Sequence, residues 1–274
     1  MKLKELTILL HEGLANRMRV IASLYQLTTK GVKIKIIWLL NNELNCNFEK
    51  IFNPIKDITI INTQTNPKLY NSKQSNPIKR TIAKLYNKIQ GFDYVIKGGF
   101  NNKDSYDKEF IYNIFENFEN VFLETCAIIY DNSQYDIFNP TEEIKKRTIN
   151  NNLKTKSYIG IHIRRGDNIK SQINSGIIPF LNKTKEILQN NPERNFFLAT
   201  DSKDVKDIFK YEFGESIIIP ESDYSRNSEN GIKDALYEML MLANSQKIFG
   251  SYWSSFDEVA SKLNNTPIEK IINK

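Results

Sequence analysis

The stretch YIGIHIRRGD, residues 158–167, joins a run of apolar residues directly to a charged loop. The run Tyr158–Ile163 has the length of a buried strand, and a helix is predicted over 178–189, where it stops before Pro192. A second apolar run at 195–199 completes a pattern of strand, helix and strand. Alternation of this kind is typical of a parallel sheet with right-handed crossovers.

The same alternation extends over the rest of the chain. An apolar run at 6–10 is followed by a polar loop at 11–16 and an amphipathic stretch at 17–27, which predicts strand, loop and helix. A polar segment at 64–77 predicts a mobile loop. The remaining predicted strands lie at 33–39, 58–61, 94–96, 121–123, 216–219 and 247–249, and the remaining helices near 78–88, 108–117, 231–243 and 255–263.

A charged and polar segment at 139–156 separates two series of strands and helices. We therefore predict an α/β protein with two Rossmann-like domains, residues 1–150 and 151–274, that face one another across a cleft. Ligands of open α/β sheets bind beyond the carboxyl ends of the strands. The loops that leave the strands are thus the first places to look for functional residues.

The composition of the 274 residues fits a globular enzyme, because 40% of them are hydrophobic and 26% are charged. The formal net charge of +6 favours anionic partners such as nucleotide phosphates, anionic glycolipid surfaces or nucleic acid. Basic residues are interspersed with acidic ones, and no zinc-finger, homeodomain or basic-zipper spacing occurs. Nucleic acid is therefore not an expected partner.

The two cysteines, Cys46 and Cys126, lie far apart and lack metal-ligand or redox-motif spacing, which predicts reduced thiols. The apolar run at 6–10 is too short for a signal sequence or a membrane span. These features predict a cytoplasmic protein, and they leave peripheral association with a membrane open. The sequence carries no indication of the oligomeric state.

The loop after Tyr158–Ile163 carries the strongest functional signal. Arg164 and Arg165 place two guanidinium groups where a ligand site is expected. The planar guanidinium matches a phosphate group, and each charge-assisted hydrogen bond contributes roughly 1.5–3 kcal/mol. The alternative is that both arginines form ordinary ion pairs with Asp167 or another surface carboxylate.

The hexapeptide His162-Ile163-Arg164-Arg165-Gly166-Asp167 resembles the His-x-Arg-Arg-x-Asp motif of the fucosyltransferase superfamily, which includes α1,2-, α1,6- and protein O-fucosyltransferases. Three further segments match that superfamily in the same order, from Gly13 to Leu263. The resemblance implies the two-domain glycosyltransferase architecture called GT-B. It assigns the acceptor to residues 1–150 and the nucleotide sugar to residues 151–274, with His162 and Asp167 among the donor contacts.

The first of these segments, Gly13-Leu14-Ala15-Asn16-Arg17, resembles the Gly-x-x-Asn loop that meets the donor phosphates, which implies donor contacts for Gly13, Asn16 and Arg17. Glycine lets an anion approach the backbone, and the N-terminus of the following helix favours negative charge. A simple strand-to-helix turn is the alternative. Glu12 matches a base candidate of some protein O-fucosyltransferases, and its alternative is a solvated loop charge.

The other two segments lie in the second half of the chain. Residues 197–202 resemble the Ala-Thr-Asp segment of the superfamily, in which Asp201 is a donor contact, whereas a helix cap is its alternative role. Residues 236–256 resemble a region in which a helix carboxylate reads guanine. Glu238 occupies that position, with Asp234 as the substitute.

The loop 250–256 opens a predicted helix and implies phosphate or ribose contacts for Ser254, Ser255 and Phe256, although Ser255 is equally suited to an ordinary helix N-cap. Both histidines of the chain, His11 and His162, lie in or beside the motif loops. A partly buried structural histidine is the alternative role of His162. No metal-ligand spacing surrounds either histidine, so zinc is not expected.

Taken as a whole, the resemblance implies an inverting transfer of L-fucose from GDP-fucose to a glycan hydroxyl group, without a metal ion or another cofactor. Arg164 would stabilise the charge that develops on the β-phosphate, with support from Arg165, and Glu12 would accept the proton of the acceptor hydroxyl. Two alternatives stay open. One is the same fold with another nucleotide sugar, and the other is a non-catalytic nucleotide-sugar or glycan-binding protein.

Overall fold

The protein consists of two compact α/β units in its computed structural model, which describes residues 1–150 and 157–273. Unit 1 comprises Met1–Thr141 with Arg226–Glu229, and unit 2 comprises Glu142–Ser225 with Asn230–Lys274. The sequence predicts a boundary at residue 150. That boundary, and the acceptor and donor roles of the two halves, stay predictions.

Unit 1 contains a five-stranded sheet in the order β3-β2-β1-β5-β4, in which every pair of neighbours is parallel. Its strands are β1 (Glu5–Leu10), β2 (Lys33–Leu39), β3 (Ile58–Thr63), β4 (Tyr94–Ile96) and β5 (Asn120–Thr125). Its helices are α1 (Leu14–Leu24), α2 (Pro77–Ile89) and α3 (Lys108–Asn117). The prediction of a parallel sheet in this half is confirmed.

The central position of β1 follows from its apolar sequence. Leu6 and the run from Ile8 to Leu10 are completely buried, as expected for a parallel strand with both faces covered. The chain proceeds from β1 through β2 to β3 at one edge and then returns to the other side of β1, so the strand order reverses between β1 and β5. Such a reversal is a topological switch point, where ligands bind in open α/β sheets.

Unit 2 contains a second parallel sheet, in the order β10-β9-β6-β7-β8. Its strands are β6 (Tyr158–Ile163), β7 (Asn195–Thr200), β8 (Ile217–Ile218), β9 (Ile248–Ser251) and β10 (Ile268–Ile271). Its helices are α4 (Glu142–Asn150), α5 (Ile169–Asn174), α6 (Ile177–Asn190), α7 (Lys203–Phe213), α8 (Glu229–Ala243) and α9 (Ser255–Asn264). The order reverses between β6 and β9, which is the switch point of this sheet.

The core of unit 2 lies on the central strands. Ile161 and Ile163 of β6 and Phe196 and Leu198 of β7 are completely buried in one cluster. Burial of each such side chain contributes roughly 1.5–3 kcal/mol. Gly160 is needed where α8 packs closest, since a Cβ there would lie 2.8 Å from Cδ2 of Leu242.

Four features differ from the sequence-based expectations. Helix α4 lies at Glu142–Asn150, within the segment 139–156 that was predicted only to separate the two series. Helix α1 begins at Leu14, three residues earlier than predicted, with Gly13 as its N-cap residue. Helix α5 was not predicted, although the Asn168 side chain caps it by accepting a 3.0 Å hydrogen bond from the Ser171 N–H. Strand β10 was not predicted either, because only Ile271 of its four residues is fully buried.

Both cysteines of the chain, Cys46 and Cys126, are free and buried. The Cys126 sulfur lies 2.9 Å from the Tyr106 hydroxyl oxygen, and burial raises the pKa of the thiol to about 11. No helix within residues 1–150 and 157–273 is sufficiently long and apolar to cross a bilayer.

Candidate active site

The predicted motif loop leaves β6 at the switch point of unit 2. The Ser251 hydroxyl at the end of β9 links the two strands, since it accepts a 2.9 Å hydrogen bond from the Arg164 N–H and donates a 3.1 Å bond to the His162 carbonyl. Helix α9 begins four residues after Ser251, at Ser255. The loop with Arg164 and the start of a helix therefore lie at neighbouring strand ends.

The Arg164 guanidinium is mostly buried and donates hydrogen bonds to the carboxylates of Asp201 and Asp167. Asp201 also accepts a 2.7 Å bond from the Arg165 N–H. Gly166 has a φ of +39°, and a Cβ there would lie 2.8 Å from the Asp201 carboxylate. The glycine thus lets the loop fold around Asp201, which fixes both the backbone and the guanidinium.

The alternative role of Asp201 was to cap the next helix and to hold the neighbouring loop; the structure shows the contact with the loop, and the helix cap is wrong. Ser202 caps α7 instead, by accepting a 3.4 Å hydrogen bond from the Val205 N–H. Asp201 is directed toward the Arg164 loop because β6 and β7 are neighbours in the sheet.

Arg165 points at a different partner from Arg164. Its guanidinium donates to the carbonyl oxygen of Ser175, which precedes α6. Its Nε is buried without a hydrogen-bond partner among the described residues, and burial lowers the pKa of the group. The two guanidinium groups therefore have different partners within unit 2.

A buried charge network lies behind the loop. His162 Nδ1 is 3.2 Å from a carboxylate oxygen of Asp257, and the Lys270 ammonium lies 2.6 Å from the other oxygen. Burial lowers the pKa of His162, although Asp257 opposes that shift. The imidazole also stacks on the Phe256 ring with a centroid distance of 4.9 Å. These contacts support a structural role for His162 and Phe256 beneath the start of α9.

Ser254 is buried and acts as the N-cap of α9, accepting a 3.3 Å hydrogen bond from the Phe256 N–H. The expectation that Ser255 is the cap is wrong, because Ser255 is the first residue of the helix. It is only partly buried. Of the two serines, Ser255 is therefore better placed to offer its hydroxyl group to a ligand.

Glu238 lies on α8 and is almost fully buried. The Ser222 hydroxyl donates a 2.6 Å hydrogen bond to it, and burial raises the pKa of the carboxyl to about 7. The substitute Asp234 is already engaged by Arg147 and by the Asp223 N–H, which donates a 2.7 Å bond. Glu238 is thus the carboxyl group whose surroundings favour a ligand that brings its own hydrogen-bond donors.

In unit 1, Glu12 and Asn16 lie where β1 leads into α1. Glu12 has a left-handed φ of 69°, and its carboxylate accepts a hydrogen bond from the Asn16 side chain. Burial raises the pKa of Glu12. A Cβ at Gly13 would meet no atom within 4 Å, so the backbone at the start of α1 is open to approach.

Arg17 is completely buried and braces this loop. Its guanidinium donates 2.7 Å hydrogen bonds to the carbonyls of Glu12 and Leu39 and lies 4.9 Å from the Trp38 ring centroid. Burial lowers its pKa to about 10. These contacts support a positioning role for Arg17 rather than a direct contact with the donor.

The structure adds a pair of residues that sequence reasoning did not combine. His11 Nε2 lies 2.6 Å from a carboxylate oxygen of Glu124, and the other oxygen accepts a 3.0 Å hydrogen bond from the Gly98 N–H. Burial raises the pKa of Glu124, but these hydrogen bonds outweigh it and hold the pKa below its usual value. The only sequence signal was a glutamate at the end of an otherwise apolar strand.

A protein metal site requires several ligand side chains close together. Within the described ranges, no three His, Cys, Asp or Glu side chains are grouped so that they could hold a metal ion.

Solved structures similar to this chain in fold include fucosyltransferases. The NodZ α1,6-fucosyltransferase co-crystallised with GDP is 16% identical, with a TM-score of 0.61 over 98% of this chain and 95% of that one. A structure of fucosyltransferase NodZ from Bradyrhizobium is 17% identical, with a TM-score of 0.60 over 98% and 96%.

Two further structures match this chain with lower TM-scores. An Arabidopsis thaliana FUT1 mutant in complex with GDP is 14% identical, with a TM-score of 0.57 over 97% of this chain and 69% of that one. POFUT1 in complex with GDP is 12% identical, with a TM-score of 0.52 over 99% of both chains. No protein-family model and no curated protein matches the sequence. At these identities the likeness establishes the fold.

Proposed function

We propose that the protein is an inverting glycosyltransferase that transfers L-fucose from GDP-fucose to a hydroxyl group of a glycan. The observation that carries this proposal is the position of Arg164, which leaves β6 at a switch point with its guanidinium oriented by two carboxylates. The similarity in fold to fucosyltransferases crystallised with GDP supports the same function.

Arg164 is the proposed catalytic residue on the donor side. Departure of GDP breaks the bond between the anomeric carbon and the β-phosphate oxygen, and negative charge develops on that phosphate. A guanidinium held in place before the reaction stabilises this charge without reorganisation, and the step needs no metal ion. Asp201 and Asp167 orient the guanidinium, and Arg165 supports the loop through Ser175.

The first turn of α9 is the proposed second contact for the diphosphate. Its backbone N–H groups and the Ser255 hydroxyl favour an anion, whereas Ser254 holds the helix start. The buried network of His162, Asp257 and Lys270 keeps this turn fixed. Gly13 and Asn16 complete the donor contacts in this proposal.

Glu238 is the proposed guanine reader. A carboxylate accepts hydrogen bonds from both the N1–H and the 2-amino group of guanine, which adenine and uracil cannot donate in that arrangement. Such donors compensate for the burial that otherwise raises the pKa of Glu238 to about 7.

Two groups of unit 1 compete for the role of the base that accepts the proton of the acceptor hydroxyl. Glu12 is our first choice, because its raised pKa brings it closer to the value that suits a base at neutral pH. His11 is the competitor, since Glu124 orients its imidazole as a carboxylate does in catalytic dyads.

The cellular compartment is also part of the proposal. Two free, buried cysteines support a reducing compartment such as the cytoplasm. A different nucleotide sugar in the same fold, or binding without transfer, are the competing functions.

Nucleotide selectivity tests the donor assignment. The melting temperature of the purified chain is measured with GDP, UDP, ADP, CMP and GDP-fucose, because a ligand that binds the native state raises it. We expect stabilisation by GDP and GDP-fucose only, and its loss in Arg164→Ala. A preference for another nucleotide would change the donor, and equal stabilisation of Arg164→Ala would remove Arg164 from the phosphate site.

A further inference from the structure

Helix α2 packs against the rest of unit 1 through a narrow face. Ala83 and Asn87 are its buried residues. The Asn87 side chain accepts a 3.1 Å hydrogen bond from the Tyr70 N–H and donates a 2.6 Å bond to the Tyr70 carbonyl. The Tyr86 ring makes an edge contact with the Tyr70 ring, with centroids 5.1 Å apart. These contacts fix which side of the helix faces the protein.

The opposite side of α2 is an exposed apolar stripe. Ile78, Ile82, Leu85 and Ile89 recur at helical spacing and are 70%, 60%, 64% and 73% exposed. At about 100° per residue they fall within an arc of roughly 60°, on the far side of the helix from Ala83 and Asn87. The stripe therefore has no covering partner within the chain's described part, although aliphatic side chains of this size normally lie in a core.

Helix α2 also carries four basic residues, of which Lys79 lies on one side of the stripe and Lys88 on the other. Lys79, Arg80, Lys84 and Lys88 are all exposed, and the sequence PIKRTIAKLYNKI contains no acidic residue. Among the described residues, no carboxylate forms an ion pair with any of the four. The helix thus carries four cations and no anion. Lys79 and Lys88 border the outward stripe and Lys84 lies further round the helix, whereas Arg80 lies on the side of Asn87 and donates a 3.0 Å hydrogen bond from its Nε to the Gln74 carbonyl oxygen.

We propose that α2 lies on a lipid surface that contains anionic lipids. An amphipathic helix of this composition lies in the membrane plane, with its apolar stripe among the acyl chains and its lysines at the headgroups. The charge decides between occupants, because four cations without a single anion complement an anionic surface. The inference does not depend on the transfer reaction, although it would bring the protein to acceptors carried on lipids.

Vesicle co-sedimentation of the full chain tests the proposal. Vesicles of phosphatidylcholine alone are compared with vesicles that contain roughly one third phosphatidylglycerol, at low and high salt. We expect sedimentation with the anionic vesicles, weaker at high salt, and about tenfold less of it for the double variant Ile82→Ser and Leu85→Ser. The pair Lys84→Glu and Lys88→Glu should also lose binding.

Matched controls are available on α7. Tyr211 is 89% exposed, so Tyr211→Ser removes an exposed apolar group elsewhere, and Lys203→Glu with Lys210→Glu makes the same charge change. Both controls should bind like the wild type, and all variants should keep the wild-type melting temperature because the sites are exposed. Absence of sedimentation, equal binding to neutral vesicles, or undiminished binding of the α2 variants overturns the proposal. Self-association abolished by the α2 variants would identify a second copy as the occupant and overturn it as well.

Discussion

Glu238 shows how burial of a single carboxyl group can prepare it for a ligand. It lies on the covered side of α8 and accepts a hydrogen bond from the Ser222 hydroxyl, and burial raises its pKa from the ordinary value of about 4.5 to about 7. Between a pH of about 4.5 and about 7 the folded protein therefore holds this group protonated, whereas the unfolded chain ionises it, so stability falls as the pH rises through this window. Ionisation of this carboxyl group as the pH rises lowers the free energy of unfolding. A bound guanine base offsets that loss by donating two hydrogen bonds to the carboxylate.

This residue predicts a pH-dependent affinity for GDP. The carboxylate is the form that binds guanine, so affinity should rise with pH and level off above a pH of about 7, with a Kd about tenfold weaker one unit below the pKa. Calorimetry of GDP binding at several pH values, in buffers of different ionisation enthalpy, should also detect one released proton. Glu238→Gln should bind weakly at every pH. A wild-type affinity that does not change over this range would assign guanine recognition to another group.

At the scale of elements, the alternation of strands and helices could be read from the sequence, because fully covered parallel strands are nearly continuous apolar runs. The motif loops could be placed at strand ends for the same reason. The contacts between Arg164 and Asp201 and between His11 and Glu124 could not be predicted from the sequence. Each contact joins residues at the ends of different strands that are far apart in the chain. Helix α4 was missed because its sequence EEIKKRTIN holds only two apolar residues, and helix α5 and strand β10 were missed because they are short and half exposed.

Strand β1 leads to both base candidates, Glu12 and His11, at the switch point of unit 1, and β5 brings Glu124 beside His11. Variants of the two candidates can be told apart by the pH dependence of turnover. With water as the acceptor and GDP-fucose at saturation, so that donor affinity does not enter, the rate of GDP release should fall by about 10²-fold in Glu12→Gln and lose its dependence on pH. His11→Gln should keep the pH dependence. Unchanged GDP affinity in both variants serves as the control. The reverse pattern would move the role of the base to the imidazole that Glu124 orients.

For the whole molecule, two parallel sheets each place candidate site residues at their own switch point. In unit 2 these are the groups proposed to hold the nucleotide and the leaving phosphate, and in unit 1 they are the groups proposed to activate the acceptor. The fold is shared with fucosyltransferases at 12–17% identity. Agreement of fold, strand-end geometry and motif order is what supports fucose transfer over binding alone.

Turnover of GDP-fucose in the presence of a chelator tests this claim most directly. The account predicts GDP release by the wild type, with water or an added glycan as the acceptor, at a rate that EDTA does not change. Arg164→Lys should keep its melting temperature and lose about 10²–10³-fold in rate, because an ammonium group lacks the planar pair of donors. Binding of GDP-fucose without any release of GDP, or an undiminished rate in Arg164→Lys, would contradict it.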